Sequence, residues 1–209
     1  MANPTRKTFT AKDYSHLLGN LPGLSDKQLE NHFELYKGYV KKVNEIEEKL
    51  SKADPASANY SYGEVSELLR RRPVAYNGVI LHELYFENLS SRATTASTEL
   101  KDELSREFGS FENWYAQAKA GLVSEPGWVL LTRSREDGSL RNVLLSQHHV
   151  GLLPDQDILL SLDGWEHAYM IDYGVKKADY ISAIARLINW DVVTKRWEAS
   201  QMGSRFAAA

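Results

Sequence analysis

The chain has 209 residues, 43% of them hydrophobic and 25% charged, with a formal net charge of −3. That length allows one large domain or two small ones with an ample core, and the slight negative balance argues against a general nucleic-acid or membrane-surface binder. With no cysteine, disulfides, thiolate metal sites and cysteine nucleophiles are excluded. Any metal must then be held by imidazole and carboxylate, which suit iron, manganese or zinc better than copper(I).

The N-terminal stretch from Met1 to Asn20 carries Lys, Arg and Asp but no apolar run. No stretch of about 18 apolar residues exists, so the expectation is a cytoplasmic protein with no membrane partner. After Leu21-Pro22-Gly23, apolar residues recur at three- and four-residue steps from Leu29 through Phe33, Tyr36, Val40 and Val43 to Leu50. This predicts one long helix over Ser25 to Lys52, capped by Ser25 or Asp26 and ended by Asp54-Pro55. A short helix is expected over Tyr62 to Arg72, stopping before Pro73. Val74 to Leu89 is apolar all round, as an enclosed helix would be. The small polar run Ser90 to Thr98 reads as a linker.

Helical runs follow at Glu99 to Phe108 and Ser110 to Val123. Strand-like runs come next at Gly127 to Ser134, Leu140 to Gln147 and Asp157 to Leu162, the first two joined by Glu136-Asp137-Gly138. Helices around Lys177 to Ile188 and Trp190 to Ser200 close the chain. The fold class is α+β. A helical hairpin domain is expected over residues 1–92, and an α/β domain with a three-stranded antiparallel sheet over residues 99–209.

Six histidines are available. His32 lies on the long first helix and His82 on the enclosed one, and antiparallel packing would let them face each other. Asp163 ends the last strand and His167 follows one turn on, so both can point at one place. His16 and His149 read as ordinary surface or core histidines. The triplet Arg70-Arg71-Arg72 reads as a solvated helix end. The scattered tryptophans read as core.

The run Asp163-Gly164-Trp165-Glu166-His167-Ala168-Tyr169 resembles the metal-binding signature D-x-W-E-H-A-Y of the iron/manganese superoxide dismutases. The resemblance spans roughly Leu21 to Lys195. Its motifs are Tyr39-Val40-x-x-Val43-Asn44, Asn77 to Phe86 around His82, Phe108-Gly109-Ser110-Phe111, Pro126-Gly127-Trp128 and Asn189-Trp190. It implies one iron or manganese ion per subunit, held by His32, His82, Asp163 and His167, with superoxide as substrate. It further implies that Tyr39 is the gateway over the open coordination site and that Trp165 walls the pocket. Lys177 is implied as a cation near the substrate funnel. Glu166 would pair with the ligand His167 of a second subunit in a homodimer.

The chain departs from the family pattern in several places. Leu35-Tyr36 stands where a second histidine is usual, Met170 replaces a tyrosine, and the step from His32 to Tyr39 is one residue short, as loss of a one-residue helical bulge would make it. The outer-sphere glutamine of iron enzymes is replaced by Gly78. In the manganese enzymes' position stands His148, with Gln147 beside it, so either metal fits. His148 and Tyr39 are then candidates to relay protons. The alternative is a superoxide-dismutase fold that binds metal or a partner without dismutase activity. A zinc hydrolase lacks its H-E-x-x-H motif, since Phe86 follows His82-Glu83. A two-histidine, one-carboxylate oxygenase leaves one histidine over.

Overall fold

Ser25 fixes where the first long helix begins, its hydroxyl accepting from the backbone N–H of Gln28 at 3.1 Å. In this computed structural model, which describes residues 8–202, helix α1 then runs unbroken over Asp26–Lys52. Leu29, His32, Phe33, Tyr36, Val40, Val43 and Ile46 form its buried face, the stripe that helical periodicity demands.

Helix α2 spans Glu64–Glu87 with Pro73 inside it. The two helices expected on either side of Pro73 are therefore one. Proline lacks an N–H and cannot bond the carbonyl of Leu69, a cost that normally ends a helix. Here Ala75, Val79, Leu81, Tyr85 and Phe86 are all buried beyond that point, and their packing outweighs one lost bond. Glu47 of α1 pairs with Arg72 at 3.7 Å, whereas Tyr36 bonds Glu83 at 2.8 Å. The helices thus run antiparallel, which brings His32 opposite His82.

The expected linker is not free chain. Ser90 N donates to Leu187 O at 2.8 Å, and Thr94 Oγ1 both donates to Ile188 O and accepts from Trp190 N. Ser97 then caps helix α3, Thr98–Phe108, and Ser110 caps α4, Phe111–Ser124. Strands β1 (Trp128–Ser134), β2 (Leu140–Leu145) and β3 (Gln156–Asp163) form an antiparallel sheet in the order β2-β1-β3. Helix α4 packs on β1 and β2, while α2 and the last helix, α7 (Trp190–Met202), pack on β3, so β1 is almost wholly buried. A short helix α5, Met170–Tyr173, lies where no element was expected. Helix α6, Lys177–Ala185, stops short of Ile188, and α7 covers Trp190–Met202. No helix among the described residues is long and apolar enough to cross a membrane. The whole is an N-terminal helical region followed by an α+β region with its three-stranded sheet.

Candidate metal centre

Four elements deliver one side chain each to a single point. Helix α1 supplies His32, α2 supplies His82, the last residue of β3 is Asp163, and a 3-10 turn over Glu166–Ala168 carries His167. Asp163 is fixed from all sides. Its backbone pairs with Trp128 in the sheet, and the N–H of the next residue, Gly164, donates to Gly127 O at 2.7 Å. Tyr180 donates its hydroxyl to Asp163 O at 2.7 Å. Gly127 itself has φ +135, and a Cβ there would stand 2.0 Å from Leu145 O, so no other residue makes this corner.

The Asp163 carboxylate is divided between two tasks. Oδ1 accepts from Trp165 N at 2.9 Å. Oδ2 faces three imidazoles, with His167 Nε2 at 3.0 Å, His32 Nε2 at 3.3 Å and His82 Nε2 at 3.8 Å. His82 donates Nδ1–H to Gly78 O at 2.5 Å, which leaves its Nε2 as a bare lone pair directed at the cluster. The four donor atoms lie within 4.8 Å of one another. Asn31, the neighbour of His32, is exposed and bonds Lys27 O instead.

His32, His82 and Asp163 are buried, and the His167 side chain is 26% exposed. Burial lowers the pKa of His32 and drives that of His82 well below the ordinary imidazole value, so both are neutral ligand-type nitrogens. Burial by itself would raise Asp163. The adjacent His167, by its charge and its hydrogen bond, does most to overcome it and hold the carboxyl far below its usual range. His32 Nε2 has no hydrogen-bond partner although it is fully enclosed. An orphaned buried nitrogen is costly. Three nitrogens and a carboxylate oxygen converging on one point form a donor set that a divalent or trivalent iron or manganese ion satisfies.

Above this cluster is a cavity of about 170 Å³ lined by Tyr39, Val74, Gln147, His148, Trp165 and His167. Trp128 donates its indole N–H to His148 Nδ1 at 2.9 Å. That assigns the His148 proton to Nε2, which donates it to the Tyr39 hydroxyl at 2.6 Å. Burial pushes the His148 pKa down to about 4, so the ring is neutral at physiological pH. Burial, then the Asp163 charge, raises the Tyr39 pKa, and the phenol keeps its proton. The Trp165 ring stacks within 14° of parallel to that of His167, their centres 6.3 Å apart. Sequence reasoning placed Trp128 in a strand-start motif and in the core, and Gly78 where a glutamine is lost, but gave neither its part in positioning Tyr39 and His148. A Cβ on Gly78 would lie 2.7 Å from Tyr39 Cγ and Cδ1, so the tyrosine ring needs this glycine. A glycine inside an apolar helix was the available signal.

Other expected positions have different surroundings. Lys177 is absent from the cavity lining. Its ammonium donates to Glu125 O at 3.0 Å and sits 5.9 Å from the centre of the Tyr169 ring, and burial lowers its pKa. Tyr36 turns away from the cavity. It is fully buried, donates to Glu83 and accepts from Lys12 N at 2.9 Å. Leu35 is the half-buried residue one turn before Tyr39. Glu166 and Met170 are exposed beside His167. His16 is exposed, and His149 is half-buried with an unpartnered Nδ1.

Residues 96–196 match the family model for iron/manganese superoxide dismutases, C-terminal domain. The chain is 40% identical over 188 residues to superoxide dismutase [Fe] of Aquifex aeolicus (strain VF5), covering 86% of each protein. It is 38% identical to superoxide dismutase [Fe] of Cupriavidus metallidurans, over 86% of this chain and 91% of that one. It is 33% identical to superoxide dismutase [Mn] 1 of Halobacterium salinarum, over 88% of this chain and 91% of that one. Relatives named for each metal therefore align along most of the same chain. Sheet order, donor cluster and matched length agree, and the chain belongs to the iron/manganese superoxide dismutase family.

Proposed function

We propose that this protein is a superoxide dismutase whose one iron or manganese ion is held by His32, His82, Asp163 and His167. The observation that carries the reading is the convergence of their four donor atoms within 4.8 Å around a buried, unpartnered His32 nitrogen. When bound, such an ion supplies a one-electron couple, so that one superoxide is oxidised to dioxygen and a second is reduced. With two protons the second leaves as hydrogen peroxide.

The protein's part is to hold charge and deliver protons. Asp163 contributes the only negative charge among the four donors and so favours the oxidised ion. Tyr39 accepts at its oxygen from His148 Nε2–H, so its own hydroxyl proton is left to point into the cavity where peroxide forms. His148 is locked in that tautomer by Trp128, and Trp165 closes one wall. These assignments make Tyr39 the proton donor, with His148 its positioning partner. Lys177 is held against Glu125 O outside the cavity lining.

The same reading extends to a homodimer joined through Glu166 of one subunit and His167 of the other. Glu166 is exposed, His167 is the least buried donor, and Met170 and Ile171 beside them are 43% and 46% exposed. The test is direct. Protein loaded with iron or manganese should bind about one ion per chain and dismutate superoxide, and His82→Ala should lose metal and activity together. A fully metallated but inert protein would sink the proposal. A fold retained without catalysis finds no support here, because the donors, the gateway hydroxyl and the cavity are all present.

A further inference from the structure

Tyr36 takes no part in the superoxide chemistry above, yet packed rings join it to the donor cluster. The ring of His32 lies 4.9 Å from that of Phe86, centre to centre, and Phe86 lies 5.9 Å from Tyr36. Phe86 and Tyr36 are each 1% exposed, so the path is dry and close-packed. At its far end the Tyr36 hydroxyl donates to Glu83 Oε1 at 2.8 Å. Lys12 pairs with the same carboxylate at 2.7 Å.

The other aromatic side chains around the cluster have no such acceptor. Tyr39 and Trp128 both meet His148, whose ring burial keeps neutral. The buried indole nitrogen of Trp165 has no partner. Tyr85, its ring 5.3 Å from His32, meets the Tyr180 hydroxyl. A phenol gives up an electron readily only when its proton leaves as well, because the oxidised phenol is a strong acid. Among these described residues, Tyr36 alone has a carboxylate base in place. It lines a second cavity, of about 540 Å³, that shares no residue with the one over the donors. An oxidised Tyr36 is therefore kept out of the space where superoxide reacts.

We propose that Tyr36 is a redox-active tyrosine, with Phe86 as its bridge to His32 and Glu83 as its proton acceptor, that draws oxidising power away from the donors when hydrogen peroxide meets the reduced centre. The proposal rests on the reading of the donor cluster as a redox metal site. The oxidant is the peroxide that dismutation itself forms. Its O–O bond breaks, and with two electrons and two solvent protons it leaves as two waters. The bound ion in its reduced state supplies one electron. Tyr36 supplies the other, passes its hydroxyl proton to Glu83 and is left as a neutral phenoxyl radical.

The experiment takes iron-loaded wild type, Tyr36→Phe, Glu83→Gln and Tyr85→Phe, matched for metal content. Each is reduced with dithionite, freed of the excess, mixed with hydrogen peroxide and freeze-quenched for electron paramagnetic resonance. Wild type and Tyr85→Phe should give a radical signal that narrows when tyrosine is ring-deuterated. Tyr36→Phe, which keeps the packed ring, should lose it. Glu83→Gln keeps an acceptor for the hydroxyl but no base, and its radical yield should fall about tenfold or more. Mass spectrometry after the same treatment should find more oxygen added to Trp165 in Tyr36→Phe than in wild type. No tyrosyl signal in wild type, a signal that survives Tyr36→Phe or is lost equally in Tyr85→Phe, an undiminished yield in Glu83→Gln, or equal oxidation of Trp165 would each overturn the proposal. A loaded wild type that forms the radical without dismutating superoxide would instead end the dismutase reading and leave this one standing.

Discussion

Gly78 and Tyr39 occupy adjoining space across the α1–α2 contact, and the fit has no slack. The added Cβ of Gly78→Ala meets the base of the tyrosine ring at 2.7 Å, where the side chain cannot swing clear. Overpacking of this kind costs about 1–3 kcal/mol. The ring must move off His148, so the variant should melt lower and lose about tenfold or more in dismutase activity at unchanged metal content, since a positioned proton donor is worth that much. Wild-type activity in Gly78→Ala would show that the Tyr39–His148 bond does not limit turnover. Trp128→Phe tests the same hydroxyl from behind. It leaves the buried Nδ1 of His148 without its donor, a loss of about 1–3 kcal/mol. Imidazole ¹⁵N shifts of the metal-free protein at neutral pH should show one tautomer in wild type, protonated at Nε2, and a mixture in the variant. A single unchanged tautomer would mean that Tyr39 alone orients the ring.

Helix α2 shows how a local rule loses to packing. Pro73 is a proper stop signal by its own chemistry, and reading it as one divided the helix in two. The buried residues that follow it against α1 could not be weighed from the local sequence, because their partners lie on a different helix. The run Ser90 to Thr98 was expected as a linker and is an irregular connection between α2 and α3, but its anchoring was hidden for the same reason: its small polar residues are bonded to the segment around Ile188, far along the chain. Long periodic elements, by contrast, were legible, since their burial repeats at helical steps. The mechanism makes a prediction. Pro73→Ala restores an N–H for the Leu69 carbonyl in a helix that already has the required shape. Helix propensity then favours the variant by up to about 3 kcal/mol, less what the freer unfolded chain takes back. A net gain of about 1 kcal/mol should appear as a raised denaturation midpoint with slower amide exchange around residue 73. A lowered midpoint would mean that the ring of Pro73 contributes packing that alanine cannot replace.

At the scale of the molecule, the donor residues could be read in advance while their supports could not. Asp163 and His167 sit in one compact run, His32 lies on the periodic apolar face of α1, and His82 lies on a helix apolar all round, so it had to be enclosed. Trp128 and His148 meet only because strands β1 and β2 pair, and Gly78 meets the Tyr39 ring only because α1 and α2 pack antiparallel. The same holds for the junction that ties both ends of the chain to α2. Glu87, at the last turn of α2, accepts from Lys12 at 2.9 Å and from Arg196 of α7 at 2.7 Å. Arg196 also donates to Asn88 Oδ1 and Leu159 O, so one carboxylate links the N-terminal segment, α2 and α7. Burial alone would raise the Glu87 pKa, but Lys12 and Arg196 outweigh it and hold it below the ordinary glutamate value. A depressed folded-state pKa means that the unfolded chain binds the proton more readily. The stabilisation is therefore complete above the ordinary carboxylate range and is lost as pH falls through Glu87's own lower value. Lys12 is shifted the other way: burial lowers its pKa, yet Glu83 and Glu87 raise it overall, so its share persists below 10.5 and is lost only as pH rises past that region. Because Glu87 is partly exposed, its contribution is discounted to about 1 kcal/mol. Glu87→Gln should accordingly melt below wild type between pH 6 and 8 in metal-loaded protein, and the gap should close as pH falls below about 4.5. Taking the difference between the two proteins removes the acid loss of metal that both share. A gap that stays constant down to pH 3 would assign the effect of Glu87 to hydrogen bonding alone, with no part for its charge.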